Sequence, residues 1–540
     1  MSSPTDLKAE GIRHLELFDA SKSSKEHEAS TGYSAEEVTT TPIFSLPAHV
    51  ALSATTKING NNNNHNTFPQ YGVLGNRLNG PAENPSHAGL IYNNISAPWS
   101  GFICGSQGSG KSHSLSCILE NALVQSSPAG KISSPLAGLV LHYDKFTSFA
   151  STQLCEAAYL CSAGIPVRVL VSPTNFMAMK EVYLNMPGIS GNTKLTVEPM
   201  YLPKKDLNIG MMKTLMGMND KMSQPLYMDV VMKILRDMAI ANQGRTTFDY
   251  QLFRKLIDQQ EWTKGQEVPL QMRLNVLDSF LEKKTTGKRS ASAQNTWEFR
   301  KGTLTIIDLS CPFVDPDDAC ALFNIAISLF LKDRHDAGRI FALDEAHKFL
   351  GASTSEAVGL NDTLLSIVRQ QRHLATRVII ATQEPTVSPE LLDLCNFTLI
   401  HRFNSPAWFQ TIRSHLAGAS VNVFNAGQVF ENDLFRRIVG LKTGQALLFC
   451  PTGMFVSKET EDHVVEEEKG WKEEKGDWSG EELKADLPTP RDMDYDSVTS
   501  VDSKGLLSGE HQVVKLGTGF VHLQIRNRIT VDGGRSIIAQ

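Results

Sequence analysis

The chain has 540 residues, 41% of them hydrophobic and 20% charged, with a formal net charge of −6. These totals fit a soluble globular protein of roughly two to four domains and confine any nucleic-acid surface to a local patch. Eight cysteines show no C-x-x-C pair or zinc-like spacing, and no apolar run approaches a membrane span. The N-terminus lacks a signal-peptide pattern, so the expectation is a soluble intracellular protein with no membrane partner, cytoplasm or nucleus left open.

Residues 1–90 are polar, with Ser/Thr-rich patches and an Asn tract at 59–64, interrupted only by short apolar pieces at Ile43–Leu46 and Tyr71–Leu74. They are expected to be largely disordered, with a strand or two docked on the core. From 91 to 204 the pattern becomes strand, helix, strand: Trp99–Cys104, then Ser112–Val124, then Gly138–Tyr143 and Val167–Val171. That alternation predicts a parallel sheet.

Residues 205–296 read as a helical insertion. Met228, Val231, Leu235 and Met238 share one helical face, as do Tyr250, Phe253 and Ile257, and then Leu270, Leu274, Leu277 and Phe280. Its last loop, Lys283–Arg289, is either a phosphate-backbone contact or a solvated linker. The sheet resumes over 297–458, with strands predicted at Leu304–Leu309, Ile340–Leu343, Val378–Ala381, Thr398–Phe403 and Ala446–Phe449, and a helix at Leu322–Leu331. An acidic linker follows at 459–510, and 511–540 carries a strand-like run, Phe520–Val531, expected to return to the core. The fold class is α/β: a core with a mainly parallel sheet and a helical insertion subdomain.

The stretch that organises this core is Gly105-Ser106-Gln107-Gly108-Ser109-Gly110-Lys111-Ser112, followed by His113. G-x-x-x-x-G-K-[ST] between a strand and a helix lets backbone N–H groups cradle phosphates. Lys111 reaches the β/γ oxygens and the Ser112 hydroxyl ligates Mg²⁺, so ATP and Mg²⁺ are the expected cofactors.

The strand Ile340–Leu343 runs into Asp344-Glu345. Asp344 is placed to hold the Mg²⁺ shell with Ser112, and Glu345 to polarise the attacking water. A plain helix N-cap is the bland alternative. Asp344-Glu345-Ala346-His347 also spells the box of two-lobed DEAH-type helicases, but too little chain remains after it for a second lobe. Gln383, at the end of Val378–Ala381, is placed to reach the γ-phosphate or the lytic water. Arg372, on the preceding helix, is a candidate arginine finger toward a neighbouring subunit, with Arg369 as the second candidate. A capping glutamine and surface arginines are the alternatives.

Leu365–Arg372, Ile380-Ala381-Thr382-Gln383-Glu384-Pro385, Pro389–Leu392, Ile306–Ser310, Asp344–Leu350 and Gly444–Pro451 together resemble the HerA–FtsK superfamily of ring-forming DNA pumps, HerA more closely, over about 95–455. The resemblance implies a RecA-like core, Walker A at Lys111 and Ser112, Walker B at Asp344 and Glu345, a sensor at Gln383 and a finger at Arg372. It also implies a homo-oligomer, expected to be hexameric, acting on double-stranded DNA, with the partner protein unknown. Two features depart from the pattern: residues 1–90 look too polar for the β-barrel that opens HerA proteins, and the transmembrane helices of coupling and septal members are missing. The rival class is a nucleotide-gated scaffold or switch. Lys283–Arg289 and Arg526–Arg528 are the basic candidates that would favour the pump.

Overall fold

The computed structural model describes residues 33–58, 67–78, 85–125, 127–145, 153–204, 207–215, 227–243, 248–281, 297–332, 338–351, 354–416, 427–457 and 512–532. The Asn tract, the basic loop Lys283–Arg289 and the acidic stretch 459–510 lie outside them. The short apolar runs become β1 (Ile43–Ser45), β2 (Tyr71–Arg77), β3 (Leu90–Asn94), β4 (Ser100–Cys104), β5 (Gly130–Lys131), β6 (Ala137–His142), β7 (Val167–Val171) and β8 (Leu195–Pro199). After the insertion come β9 (Leu304–Asp308), β10 (Arg339–Asp344), β11 (Thr376–Thr382), β12 (Phe397–Ile400), β13 (Gln445–Phe449), β14 (Met454–Val456), β15 (Val513–Lys515) and β16 (Phe520–Ile525).

Every residue of β4, β6, β9, β10 and β11 is buried. Strands covered on both faces pair in parallel, and here they run in the order β12-β4-β11-β10-β6-β9-β7-β8, all parallel. Alternate residues feed two cores. Phe102, Leu139, Leu141 and Phe341 face one side with the insertion and the helices Pro316–Lys332 and Ser355–Leu374. Ile103, Val140, Ile340 and Ala342 face the other with the P-loop helix, Lys111–Leu123. Gly101 lets β12 close onto β4, since a Cβ there would stand 2.4 Å from Phe397 Cζ.

The predicted insertion is helical: Ile209–Leu215, Tyr227–Ala241, Tyr250–Asp258 and Lys264–Phe280. The three apolar faces named above are buried. Asp249 caps one helix through the amides of Gln251 and Leu252, and Thr263 with Gln266 forms a capping box on the next. The two ends of the insertion meet where Leu202 N donates to Phe280 O at 2.7 Å and Trp297 Nε1 to Tyr201 O at 2.8 Å. The sheet is therefore interrupted at a single place, and strands from 91–204 and 297–458 interleave in it. No second P-loop sheet stands among the described residues.

The antiparallel flank takes up more of the N-terminal stretch than the strand or two expected to dock on the core. Of the stretch 1–90, expected to be largely disordered, residues 33–58, 67–78 and 85–90 are described and folded, and they supply β1, β2 and the start of β3. Phe44 stacks on Phe68 with ring centroids 3.9 Å apart and lies beside Tyr71 and Tyr92. β1 pairs with β14 and β3, and β2 with β16. Partners this distant in sequence leave no local alternation to read. The C-terminal run is a strand only to Ile525. Arg526–Val531 then crosses the P-loop helix, whose Glu120 accepts from Arg526 Nη1, Ile529 N, Thr530 N and Thr530 Oγ1.

Candidate active site

The phosphate cradle follows from three glycines at the end of β4. Gly105, Gly108 and Gly110 hold φ values of 154°, 73° and 112°, which L side chains rarely adopt. A Cβ on Gly105 would also meet His401 Cβ at 2.6 Å. Ser109 Oγ donates to Ser106 O at 2.7 Å, and Ser106 N to Arg402 O at 2.8 Å, fixing the curl of the loop. Gln107 and Gly108 form its exposed crown. Lys111 is buried with Nζ on Ser106 O at 3.1 Å. Burial pushes its pKa down, and the carboxylates of Glu345 and Asp344 pull against that shift. Ser112 is half-buried in the first helical turn. His113 turns instead to the C-terminal segment, donating from Nε2 to Arg526 O at 2.8 Å.

His401 was not singled out by its sequence, yet it braces this loop. Its ring is fully buried, with Nδ1 2.8 Å from Gln445 O and Nε2 2.9 Å from Ser114 Oγ. A carbonyl only accepts, so Nδ1 carries the proton and Nε2 accepts from Ser114. Burial drives the His401 pKa down to about 4.

Strand order brings the remaining residues together. β11 lies between β4 and β10, so Gln383, Gly105 and the pair Asp344-Glu345 emerge at one edge. Gln383 Nε2 donates to Glu345 Oε2 at 3.2 Å and faces Oε1 at 3.4 Å. Glu345 sits at φ 53°, a left-handed conformation that costs a non-glycine residue about 1–2 kcal/mol. The bond from Ala346 N to Ala381 O, 3.0 Å, holds the turn. His347 Nδ1 is 3.4 Å from Glu345 Oε2, and burial lowers its pKa.

Asp344 is 5% exposed. Its Oδ2 lies 3.3 Å from His142 Nδ1 and accepts from Cys155 Sγ at 3.9 Å. Burial alone would lower the His142 pKa, but Asp308 and Asp344 outweigh it and hold it up at about 9. Tyr183 Oη donates to Asp308 Oδ2 at 2.5 Å and Ser310 N to Oδ1 at 2.9 Å. Glu156, beside this group, is raised by burial despite its partner Arg528 at 3.2 Å. His142, Cys155, Glu156 and Tyr183 went unnoticed in the sequence because none belongs to a local motif, and Asp308, within the Ile306–Ser310 piece, was given no role of its own.

Arg372 and Arg369 are exposed on the last turns of Ser355–Leu374. That helix returns from the site edge to the start of β11, so about 25 Å of helix separates Arg372 from its own site edge. Arg372 Nη1 is 3.3 Å from Glu36 Oε1, both side chains well exposed. Arg526–Arg528, a basic candidate in the sequence, is corrected: both arginines turn inward. Arg526 pairs with Glu120 at 2.7 Å, and the Arg528 side chain is 1% exposed. Glu120, buried, and Glu156, half-buried, draw them in.

No protein-family model and no curated protein matches the chain. Among solved structures it is similar to VirB4 of Thermoanaerobacter pseudethanolicus, at 14% identity over 70% of this chain and 93% of that one, TM-score 0.41. It is also similar to the plasmid coupling protein TrwB with the GTP analogue GDPNP, at 11% identity over 71% and 92%, TM-score 0.37. The genome packaging NTPase B204 from Sulfolobus turreted icosahedral virus 2 with AMPPCP matches at 14% identity over 28% and 62%, TM-score 0.20. At such low identities and TM-scores the likenesses add no chemistry, which rests on the site's own geometry. Among the described residues no helix is long and apolar enough to cross a membrane.

Proposed function

We propose that this chain is a Mg²⁺-dependent ATP hydrolase of the HerA–FtsK kind, working as a homo-oligomeric ring, hexameric by resemblance, that moves or remodels double-stranded DNA. The observation that carries hydrolysis is the contact between Gln383 and Glu345 beside the P-loop. A lone acidic pair at a strand end could be a cap. A carboxylate held in a left-handed turn and gripped by a neighbouring strand's amide is organised for work.

The residues present fit the cofactors. The glycine loop offers amides to the phosphates, with Lys111 at its base, and Ser112 with Asp344 would hold Mg²⁺. When bound, Mg²⁺ supplies charge neutralisation to the phosphates. Glu345 takes the proton of the attacking water, and Gln383 fixes the carboxylate and orients that water. His401 and Ser114 keep the first turn of the P-loop helix in place. Arg372, too far from its own site, is exposed where a neighbouring subunit's γ-phosphate can meet it.

The DNA substrate rests on the motif resemblance. A second reading, the nucleotide-gated scaffold, is favoured by one observation: Arg526 and Arg528 are used internally. The test for hydrolysis is Mg²⁺-ATP turnover by Glu345→Gln. Retained nucleotide binding with turnover down about 10²-fold or more supports the base assignment. Undiminished turnover removes Glu345 from it.

A further inference from the structure

His142 Nδ1 is a buried nitrogen that faces Asp344 Oδ2 at 3.3 Å without a well-formed hydrogen bond. The ring is fully buried, and Nε2 lies 3.1 Å from the carbonyl of Gln153. Because a carbonyl only accepts, Nε2 keeps its proton, and Nδ1 presents a lone pair to a cation once the proton it shares with Asp344 is released. That lone pair faces two other ligand atoms, Asp344 Oδ2 at 3.3 Å and, 3.9 Å from the same oxygen, Cys155 Sγ. The three side chains are buried, and their ligand atoms all lie within 4.8 Å of one another. Cys155 is a free thiol.

Zn²⁺ binds imidazole and carboxylate at about 2.0–2.2 Å and thiolate at about 2.3 Å in tetrahedral sites. Such a site sets neighbouring ligand atoms about 3.3–3.6 Å apart, so the observed spacings need only small side-chain shifts. Nitrogen, sulfur and oxygen together suit a borderline-soft cation, whereas Mg²⁺ takes oxygen. The Gln153 carbonyl is the kind of outer partner that fixes a ligating histidine.

We propose that His142 Nδ1, Cys155 Sγ and Asp344 Oδ2 form a three-ligand site for a zinc-class divalent cation, and that filling it draws Asp344 away from Mg²⁺ and stops turnover. Binding forms three metal–ligand bonds and releases to water the Cys155 thiol proton, together with the Nδ1 proton where His142 carries one. No electron is transferred. The inhibitory half rests on the ATPase reading. The binding half does not.

The test uses Co²⁺ as a spectroscopic probe on the full chain, with Zn²⁺ in competition and no nucleotide. The expected result is a thiolate-to-cobalt charge-transfer band with tetrahedral visible bands, erased by stoichiometric Zn²⁺. Cys155→Ser should lose the charge-transfer band and weaken Zn²⁺ binding ~10-fold or more, with its melting curve reporting the fold. Should that variant not fold, His142→Gln replaces it and should lose the tetrahedral bands. An octahedral spectrum without the thiolate band, or one unchanged in the folded variant, overturns the site. Zn²⁺ should inhibit wild-type Mg²⁺-ATP turnover at ~10-fold lower concentration than it inhibits Cys155→Ser. A filled site with undiminished turnover overturns the inhibitory half. If no form turns over ATP, the ATPase reading fails while the spectra still decide the site.

Discussion

The Glu345 carboxylate is held from two sides, by the side-chain amide of Gln383 at 3.2 Å and by a backbone turn at φ 53°. Removing the amide leaves the carboxylate in place and takes away its orientation. Gln383→Ala is therefore expected to lower kcat about 10- to 100-fold with nucleotide affinity little changed, measured by steady-state turnover beside equilibrium binding. Lys111→Ala should instead abolish binding, because the phosphates lose the cation at the base of the cradle. His401 supplies a pH dependence. Its folded pKa, about 4, lies below the ordinary value near 6.5. Between those values the unfolded chain binds the extra proton, so stability falls as pH drops through that window. The loss is about 2 kcal/mol by pH 5. Urea unfolding at pH 7 and pH 5 should show a smaller pH difference in His401→Gln than in the wild type, and equal differences would contradict the assignment. Asp344-Glu345 could be read because an apolar strand runs straight into it. His142, Cys155 and Tyr183 could not, since the contacts of Cys155 with Asp344 and Tyr183 with Asp308 span 189 and 125 residues.

Among the elements, the P-loop helix is held from outside by the C-terminal segment. Glu120 is fully buried and takes Arg526, the amides of Ile529 and Thr530, and the Thr530 hydroxyl. Glu120→Ala would leave Arg526 and these donors unsatisfied, a loss on the order of 3–5 kcal/mol. Chemical denaturation measures it, and a change below about 1 kcal/mol would show that the segment does not brace the helix. The strands β4, β6, β9, β10 and β11 were legible because burial on both faces leaves an unbroken apolar run, and the insertion because its helices carry one apolar stripe each. The segment Arg526–Val531 was not. It is held by hydrogen bonds to a carboxylate some four hundred residues away, and its arginines read as a surface patch until Glu120 and Glu156 are placed opposite them.

For the whole molecule, the site edge of the sheet and the exposed Arg372 lie at opposite ends of the helix Ser355–Leu374, which suits head-to-tail contacts between subunits closing into a ring. The surface pair of Arg372 with Glu36 contributes at most about 1 kcal/mol. Arg372→Ala should therefore keep the fold while losing turnover, and mixing it with wild-type subunits should restore part of the activity. Absence of rescue would argue against action between subunits. Steady-state ATP hydrolysis with and without double-stranded DNA at two salt concentrations, alongside the mass in solution, separates a DNA pump from a scaffold. A pump is expected to be a ring whose turnover rises several-fold on DNA and loses that rise at higher salt. ATP-dependent assembly with turnover indifferent to DNA would contradict the pump and leave the scaffold reading in its place.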